Sequence, residues 1–578
     1  MADRIKIAGL VTLHNWQRVR RSVGAPLRLL AMAAARGPDR LLIAPQDLRT
    51  SDPQIATDMY GGIFTFAGKT VEAAGSPFDA PPPSDGWTRT LMGFSWLRHL
   101  RAADTALARA NARTLVQDWV LRVDRGRARH RGNIAFEPSV VVRRLLSWLS
   151  QSPLILEGAD HAFYRQFMAS LNRQAAYLQR CLSEGVAGAT RLHIGIALAE
   201  LALCTGRPAV HQRKASRFLE AELASQILPD GGHISRNPKA IVDLLLDLLP
   251  LRQAYLAQGV ESPAQLRNAI DRMMPMLRMF RHGDGTLALF NGMGVTAPDV
   301  LATLLAYDDA LSGVSLNAPH SAYRRVEVGR GVVLFDVGTP PPTAFSSDAH
   351  ASCLAFEFSH EAQKIFCNCG APDPSRTALV AAARATAAHS TLVVADTSSC
   401  SFATPSKLRP WLDQIVAGPA RVAIERMDTD ESIDITARHD GYAKRFGLVH
   451  ERRLGLGDQG RKLFGRDTLA PAGKRAPKAA DYALRFHLHP ALKASGSKEG
   501  LAAILACPGG EAWVFEANGL PVELEESVYF AGPDGPRRTM QIVVRGRSDA
   551  TPVVNWSLQL GDGRQKAQRR RKGDPELF

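Results

Sequence analysis

The sequence predicts an α+β protein of several domains, in which a helical N-terminal half is followed by a C-terminal antiparallel β-sandwich. At 578 residues the chain is too long for one compact core. Apolar residues recur with a helical period from about 91 to 315, and the period becomes two after about 320. Many short strands without long helices are typical of a sandwich.

The lead-in and the helical half differ in their apolar spacing. Residues 1–90 lack a long period and are broken by Gly61-Gly62 and Pro81-Pro82-Pro83, which predicts an extended N-terminal lead-in packed on the next domain. The second domain spans 91–318. Short polar turns predict stacked antiparallel helical hairpins, and composition leaves open whether they form a solenoid or a ring. Helices are expected around 91–100 and 140–149, and near 162–184, 191–205, 212–226, 239–257, 264–280 and 298–311.

The third predicted domain spans 319–563 and contains strand-length apolar runs bounded by Gly, Pro, Ser and Asp. A basic, disordered tail is predicted at 564–578. The predicted strands include Val326–Val328, Gly331–Phe335, Leu354–Phe358, Ile365–Cys367, Thr391–Val394, Arg421–Glu425, Ile433–Thr436, Leu484–Leu488 and Gln541–Val544.

Composition limits the classes of partner. The net charge is +15, and residues 461–478 and 564–578 each carry six Lys or Arg, against one and two acidic residues. These segments are interpreted as a solvated loop and a frayed tail, or as an attraction to a polyanion. Few aromatic residues interleave with them, so no nucleic acid is expected as a partner. The sequence does not indicate an oligomeric state.

No apolar run reaches the ~18 residues of a membrane span, and no secretory leader is visible at the N-terminus. The seven cysteines are scattered, and their odd number and irregular spacing predict buried thiols rather than a disulfide framework.

The stretch 345–396 carries the most specific motifs of the chain. Three of its segments are Asp348-Ala349-His350-Ala351-Ser352, Asn368-Cys369-Gly370 and Arg384-Ala385-Thr386-Ala387-Ala388-His389-Ser390. They resemble the His-x-His-Ala-Asp, Asp-x-Gly and Arg-Ser-Thr-Ala-Ala-His-Asn segments of the heparinase II/III family of polysaccharide lyases, and the resemblance extends over most of the chain.

The resemblance implies an incomplete α/α toroid ahead of the sandwich. It also implies a lyase that cleaves an acidic, uronic-acid-containing polysaccharide by β-elimination. Such a reaction requires a group that neutralises the uronate carboxylate, a base for the C5 proton and an acid for the leaving oxygen. The family implies the periplasm or cell envelope, and the absence of a visible leader makes the cytoplasm the alternative.

One loop of the helical half, Leu228–Pro238, contains a dense group of polar residues that includes His233, Arg236 and Asn237. The corresponding family loop ends in Ser-Pro-x-Tyr-His, and this chain lacks that Tyr-His pair. The loop is interpreted either as a substrate-binding loop or as a capped helix junction. The loss of the pair favours the alternative function, a non-catalytic glycan-binding or exopolysaccharide-assembly protein on the same scaffold.

Further candidate residues follow from the resemblance and from side-chain chemistry. Arg191, Arg236 and Asn237 are candidate substrate-binding residues that could neutralise a carboxylate, and Arg384 of the third segment is a further binding candidate. The candidate bases are His193 and His233, and the candidate acids are Tyr442 and His350. Tyr442 follows the turn His439-Asp440-Gly441, whose simpler interpretation is a hairpin corner.

His350, Asn368 and His389 match positions where some family members hold zinc. Zinc prefers His and carboxylate ligands, so Asn368 disfavours a bound zinc ion without excluding it, and the sequence indicates no other cofactor.

Overall fold

The structure is a computed structural model, and it describes residues 5–12, 14–16, 19–20, 23, 37–124, 133–307, 313–403, 412–429, 431–474 and 476–561. The tail predicted at 564–578 lies outside these residues. Most of the predicted helices are confirmed, with ends that shift by a few residues. The helix expected around 91–100 is instead two helices, because Phe94 has φ +57° and ends the first of them. The α-helices are Pro53–Tyr60, Asp85–Gly93, Leu97–Ala103, Ala106–Trp119, Pro138–Ser150, Ser152–Leu156, His161–Ser183, Ala189–Cys204, Ala209–Gln226, Pro238–Ala257, Ala264–Met279, Pro298–Ala306, Thr377–Arg384 and Ala443–Phe446.

The helices of the N-terminal half form an α/α toroid. Helix Ala189–Cys204 contacts Pro138–Ser150, Ala209–Gln226 and Pro238–Ala257. It is apolar on nearly all sides because it is surrounded by these neighbours. Asn237 begins the last of them, since its side chain accepts a hydrogen bond from the backbone amide of Lys239 at 2.9 Å.

The lead-in packs on the toroid through aromatic side chains. A hairpin of Ile63–Phe66 (β1) and Lys69–Glu72 (β2) follows the helix Pro53–Tyr60. Phe66 lies with its ring centroid 5.8 Å from that of Trp87 and 6.5 Å from that of Trp96. These buried rings join the hairpin to the toroid core.

The C-terminal half is a sandwich of two antiparallel sheets. One sheet has the order β11-β12-β13-β14-β21-β18-β17-β16, and the other has the order β19-β20-β15-β7-β6-β5-β4-β3, with β8 also paired to β15. The strands are β3 Asn317–Ala318, β4 Tyr323–Val328, β5 Gly331–Asp336, β6 Phe356–His360, β7 Gln363–Cys367, β8 Leu392–Val394, β9 Ser401–Phe402, β10 Ile415–Ala417, β11 Val422–Asp428, β12 Ser432–His439, β13 Leu448–Gly457, β14 Lys462–Pro471, β15 Asp481–Leu488, β16 Lys493–Gly496, β17 Ala502–Ala506, β18 Ala512–Glu516, β19 Glu523–Tyr529, β20 Arg537–Arg547 and β21 Val553–Leu560.

A buried arginine connects the two sheets. Arg452 of β13 donates from Nη1 to the carbonyl oxygens of Leu354 and Ser390 at 2.8 and 2.7 Å. Its Nε donates to Asp467 at 2.8 Å, so the charge is compensated inside the core.

The interpretation of 461–478 as a solvated loop is wrong for most of that segment. Residues Lys462–Pro471 form β14, which pairs with β13 on one side and β21 on the other. Exposed and buried positions alternate along this strand, with Lys462 and Arg466 exposed, and this period of two was more informative than the number of charges. The seven cysteines are all buried and unbridged, as predicted. No helix among the described residues is long and apolar enough to cross a bilayer.

Candidate functional site

The loop 228–238 connects two toroid helices and lies against the beginning of the sandwich. Gly231 has φ +86°, and a Cβ at this position would lie 2.0 Å from the carbonyl oxygen of Arg272. The close approach therefore requires glycine. Asp230 accepts a hydrogen bond from the backbone amide of Ser321 at 2.7 Å. The loop is thus fixed to the sandwich by its own turn residues.

Arg236 joins this loop to the sandwich through its whole guanidinium group. Nε donates to the carbonyl oxygen of Ser321 at 2.8 Å, and Nη1 donates to that of Thr339 at 3.0 Å. Nη2 forms a buried salt bridge with Asp336. Burial alone would lower the pKa of Arg236, but the Asp336 carboxylate outweighs it and raises the pKa. All three guanidinium nitrogens of Arg236 are thus bonded to groups of the protein itself. The backbone of Arg236 is held at φ +60°.

His233 lies in the same loop and is only 2% exposed. Its Nδ1 is 2.7 Å from Ser235 Oγ, and its Nε2 is 3.3 Å from the side-chain oxygen of Gln226. The ring contacts Phe345 of the sandwich, edge to face. Burial lowers the pKa of His233 to about 3. The imidazole is neutral at pH 7, and both nitrogens are engaged. Beside it, Asn237 caps the next helix.

His193 differs from His233 because one of its nitrogens is open. Its Nδ1 lies 3.0 Å from the carbonyl oxygen of Ala189 and therefore carries the proton. Its Nε2 has no hydrogen-bond partner within the described part of the chain. Burial lowers the pKa of His193, which faces the charges of Asp247 and Arg143. His193 is thus a neutral imidazole with an available lone pair, as a general base requires.

Two of the candidate arginines are already paired or tied to backbone. Arg191 forms a salt bridge with Glu222 at 2.7 Å. Arg384 donates from Nε to the carbonyl oxygen of Ala349 at 2.8 Å and from Nη2 to that of Ser346 at 2.9 Å. Arg384 therefore holds the loop that carries the histidine segment.

The toroid interior contains a charged cluster that the motifs did not indicate. Asp247 accepts hydrogen bonds from Arg49 at 2.8 Å and from Arg143 at 2.6 Å. Glu200 lines the same small cavity of about 10 Å³, which has room for roughly one water. Burial raises the pKa of Glu200 well above its usual range. A single acidic residue in the apolar run of its helix was the available sequence signal.

His350 and His389 come together and form a hydrogen bond. His389 Nδ1 lies 2.9 Å from the carbonyl oxygen of Ala385 and carries a proton there. His389 Nε2 accepts from His350 Nδ1 at 3.0 Å. Burial lowers the pKa of His389 to about 4 and that of His350 well below its usual range. His350 Nε2 remains an acceptor with no partner among the residues that the structure describes.

Asn368 does not complete a metal site with these histidines. Its amide nitrogen donates to Glu357 at 3.2 Å, and its oxygen accepts from the backbone amide of Ser390 at 3.0 Å. The described residues include no group of three His, Cys, Asp or Glu that could hold a metal ion. Two imidazoles bonded to each other and one neutral, engaged amide do not fit zinc.

We expect no stoichiometric zinc in protein purified without added metal, because no anionic third ligand balances the ion. Elemental analysis of wild type and of His389→Ala tests this. About one zinc per chain in the wild type that is lost in His389→Ala would contradict it.

Behind Asn368 lies a buried charged triad at the contact between toroid and sandwich. Glu357 of β6 is 3.0 Å from His282 Nε2 and 3.5 Å from Lys364 Nζ. Burial would raise the pKa of Glu357, but the ammonium of Lys364 and the hydrogen bond from His282 lower it to about 2. A Glu and a Lys inside apolar strands were the sequence signal for this triad.

Tyr442 lies away from the toroid, inside the sandwich core, and is 1% exposed. Its hydroxyl donates to the carbonyl oxygen of Leu392 at 2.9 Å. Burial raises the pKa of this phenol above its ordinary range. In this position the phenol stabilises the core and has no open path to a substrate.

The structure therefore brings together His350 with His389, and Arg236 with Asn237. His193 and His233 are close enough to interact electrostatically. It does not bring Tyr442 to any of them. Of the candidate catalytic residues, His193 and His350 are the two that have a ring nitrogen without a hydrogen-bond partner in the described part of the chain.

Comparison with known proteins identifies relatives of this chain in sequence and in fold. A family model described as Heparinase II/III-like, C-terminal, matches residues 312–557. The chain is 32% identical over 549 residues to FtsZ-localized protein C of Caulobacter vibrioides (strain NA1000 / CB15N), with 91% of each chain covered.

Solved structures share the fold at low identity. The heparan sulfate lyase HepC mutant from Pedobacter heparinus aligns with a TM-score of 0.61 at 14% identity, covering 96% of this chain and 91% of that one. A heparinase III structure aligns with a TM-score of 0.65 at 13% identity, covering 85% and 80%. These likenesses support the toroid-plus-sandwich fold alone.

Proposed function

This chain belongs to the heparinase II/III-like family, and we propose that it is a non-catalytic, binding member of it that works with the FtsZ-based division machinery. One observation carries the first part. The candidate groups for an elimination are already bonded within the protein. Arg236 pairs with Asp336, His233 is hydrogen-bonded within its own loop, and the hydroxyl of Tyr442 is bonded in the sandwich core. The relative named for its localisation to FtsZ supports the second part, since it matches 91% of the chain.

A lyase acting on an acidic polysaccharide is the second candidate function. The open nitrogens of His193 and His350 favour it, because a neutral imidazole can remove the C5 proton of a uronate. The neutralising group would then be a cation of the toroid interior such as Arg143, which would have to leave its salt bridge with Asp247. A non-catalytic binding protein requires only the scaffold and a binding surface. It is therefore consistent with an Arg236 that is paired and a Tyr442 that is buried, because neither residue has to act on a substrate.

We expect no unsaturated uronate from heparan sulfate, chondroitin sulfate, hyaluronan or alginate, because the candidate acid Tyr442 lies in the sandwich core with its hydroxyl bonded to a backbone carbonyl oxygen. The measurement is the ultraviolet absorbance of the unsaturated product over time. His193→Ala is the matched variant. Absorbance that rises with wild type and falls by ~10²-fold or more in His193→Ala would establish the lyase instead.

The division role is tested by co-sedimentation with purified FtsZ polymers. We expect the protein to pellet with the polymers in a saturable manner and to stay in the supernatant without them. Equal amounts in the pellet with and without polymer would overturn this part and leave the lyase question to the absorbance assay.

A further inference from the structure

A cleft on the outside of the toroid is separate from the site described above. It has a volume of about 540 Å³ and lies between the strap Gly37–Leu42 and the corner Thr205–His211, where one helix ends and the next begins. Small-molecule sites typically have volumes of ~300–1,000 Å³, so the cleft has the size of a whole ligand.

Hydrogen bonds fix both walls of this cleft. The backbone amide of Leu42 donates to the carbonyl oxygen of Cys204 at 2.7 Å. The side chain of Asn172 donates to the carbonyl oxygen of Pro38 at 3.2 Å and accepts from Arg207 at 3.0 Å. The strap and the corner therefore hold their separation without a ligand, and the space between them is preformed.

The lining is cationic and unbalanced. Arg40, Arg207 and His211 line the cleft, and among the described lining residues Asp39 is the one acidic side chain. Neither Arg40 nor Arg207 has a carboxylate partner within the described ranges, since Arg207 is bonded only to the neutral amide of Asn172. The guanidinium of Arg207 is partly buried without a counter-charge, and its Nε has no hydrogen-bond partner among the described residues. This burial costs free energy, which an anionic ligand would recover.

Apolar groups complete the lining. Pro38 and Pro208 stand on the two walls, and Leu42 is 44% exposed beside them. Guanidinium groups bind phosphate oxygens in a bidentate fork, and an apolar wall suits the organic part of a phosphate ester. Carboxylate ligands fit the charge equally, but two unpaired arginines on opposite walls match the several oxygens of a phosphate or pyrophosphate group better.

We propose that the cleft between Gly37–Leu42 and Thr205–His211 binds a phosphate-bearing ligand, with Arg40 and Arg207 holding the phosphate oxygens from opposite walls. The phosphate belongs either to a soluble phosphorylated compound or to a phospholipid headgroup. The same two arginines serve in both cases.

The probe is inorganic pyrophosphate, titrated into the full chain by calorimetry at constant ionic strength. We expect saturable binding that weakens by about 10- to 100-fold in Arg207→Gln, since a hydrogen bond to a charged group is lost. Arg40→Gln should show a similar loss. Because Arg40 is exposed, that variant keeps the test valid if Arg207→Gln does not fold. Arg213→Gln, exposed on helix Ala209–Gln226 and outside the cleft, is the matched control and should bind as wild type.

Flotation with phosphatidylglycerol vesicles, against phosphatidylcholine vesicles, distinguishes the sources. Flotation that depends on phosphatidylglycerol and is lost in Arg40→Gln assigns a headgroup, whereas pyrophosphate binding without flotation assigns a soluble ligand. No saturable pyrophosphate binding together with no lipid-dependent flotation overturns the proposal. Binding that is unchanged in both Arg40→Gln and Arg207→Gln also overturns it.

Discussion

Lowering the pH from 7 to 5 is expected to destabilise the protein by an amount comparable to its whole stability. Burial lowers the folded-state pKa of His233 and His487 to about 3 and that of His389 to about 4, against an ordinary value of 6.5. The unfolded chain therefore takes up these protons first, and stability is lost as the pH falls below 6.5. Each group contributes about 1.4 kcal/mol per pH unit, so the three cost about 6 kcal/mol by pH 5.

The buried carboxylates act in a different pH window. The pKa of Glu357 is lowered to about 2 from an ordinary 4.5, and that of Asp467 to about 2 from 3.8, since buried Lys364 and Arg452 outweigh the desolvation. Depressed carboxylates stabilise the fold above the unfolded pKa, and this contribution is lost only as the pH falls towards 2. The loss between pH 6.5 and 5 is therefore due to histidines.

Urea denaturation at several pH values between 7.5 and 5 measures the slope. His487→Gln should reduce it by about one proton, because the imidazole is 3% exposed and its nitrogens bond Ser527 and the carbonyl oxygen of Ala387. The exposed His161→Gln is the matched control and should leave the slope unchanged. A free energy of unfolding that stays flat down to pH 5 would mean that these imidazoles are charged in the folded protein.

The fold could be predicted from the spacing of apolar residues, because burying one face of a helix or strand makes its apolar residues recur with a fixed period. The helices after residue 161 and the sandwich strands were predictable, since each element buries a face that repeats every 3.6 or two residues. The segment 461–478 was misjudged where charge was weighed above alternation. In β14 the basic residues Lys462 and Arg466 occupy exposed positions that alternate with buried ones.

The site was less predictable because the position of a motif does not show which polar side chain is already bonded to another part of the protein. Arg236 and Tyr442 have the right chemistry for a lyase, but Asp336 and the carbonyl oxygen of Leu392 are 100 and 50 residues away in sequence. No local pattern indicates such partners. His193 and His233 look equivalent in sequence, and only the hydrogen bonds of the folded chain show that one has an open nitrogen and the other has none.

Replacement of Asp336 is expected to be among the most destabilising single changes in this protein. The carboxylate is fully buried, and it accepts hydrogen bonds from the backbone amide of Gly338 at 3.1 Å and from Ser352 Oγ at 2.7 Å besides the salt bridge to Arg236. Asp336→Ala leaves the Arg236 guanidinium buried without a counter-charge. Breaking a buried pair in this way costs ~3–5 kcal/mol.

Denaturation of Asp336→Ala, of Arg236→Met and of the double variant distinguishes the free-energy cost of an unpaired buried charge from the cost of lost side-chain packing. The double variant should be more stable than Asp336→Ala, because no uncompensated charge remains once the guanidinium is removed. Asp428→Ala, which breaks the exposed pair with Arg426, is the matched control and should cost less than ~1 kcal/mol. If Asp336→Ala unfolds as easily as this control and no more so, the loop 228–238 is not held to the sandwich by this salt bridge. Arg236 would then be free to reach a substrate, and the argument for a non-catalytic protein would lose its main observation.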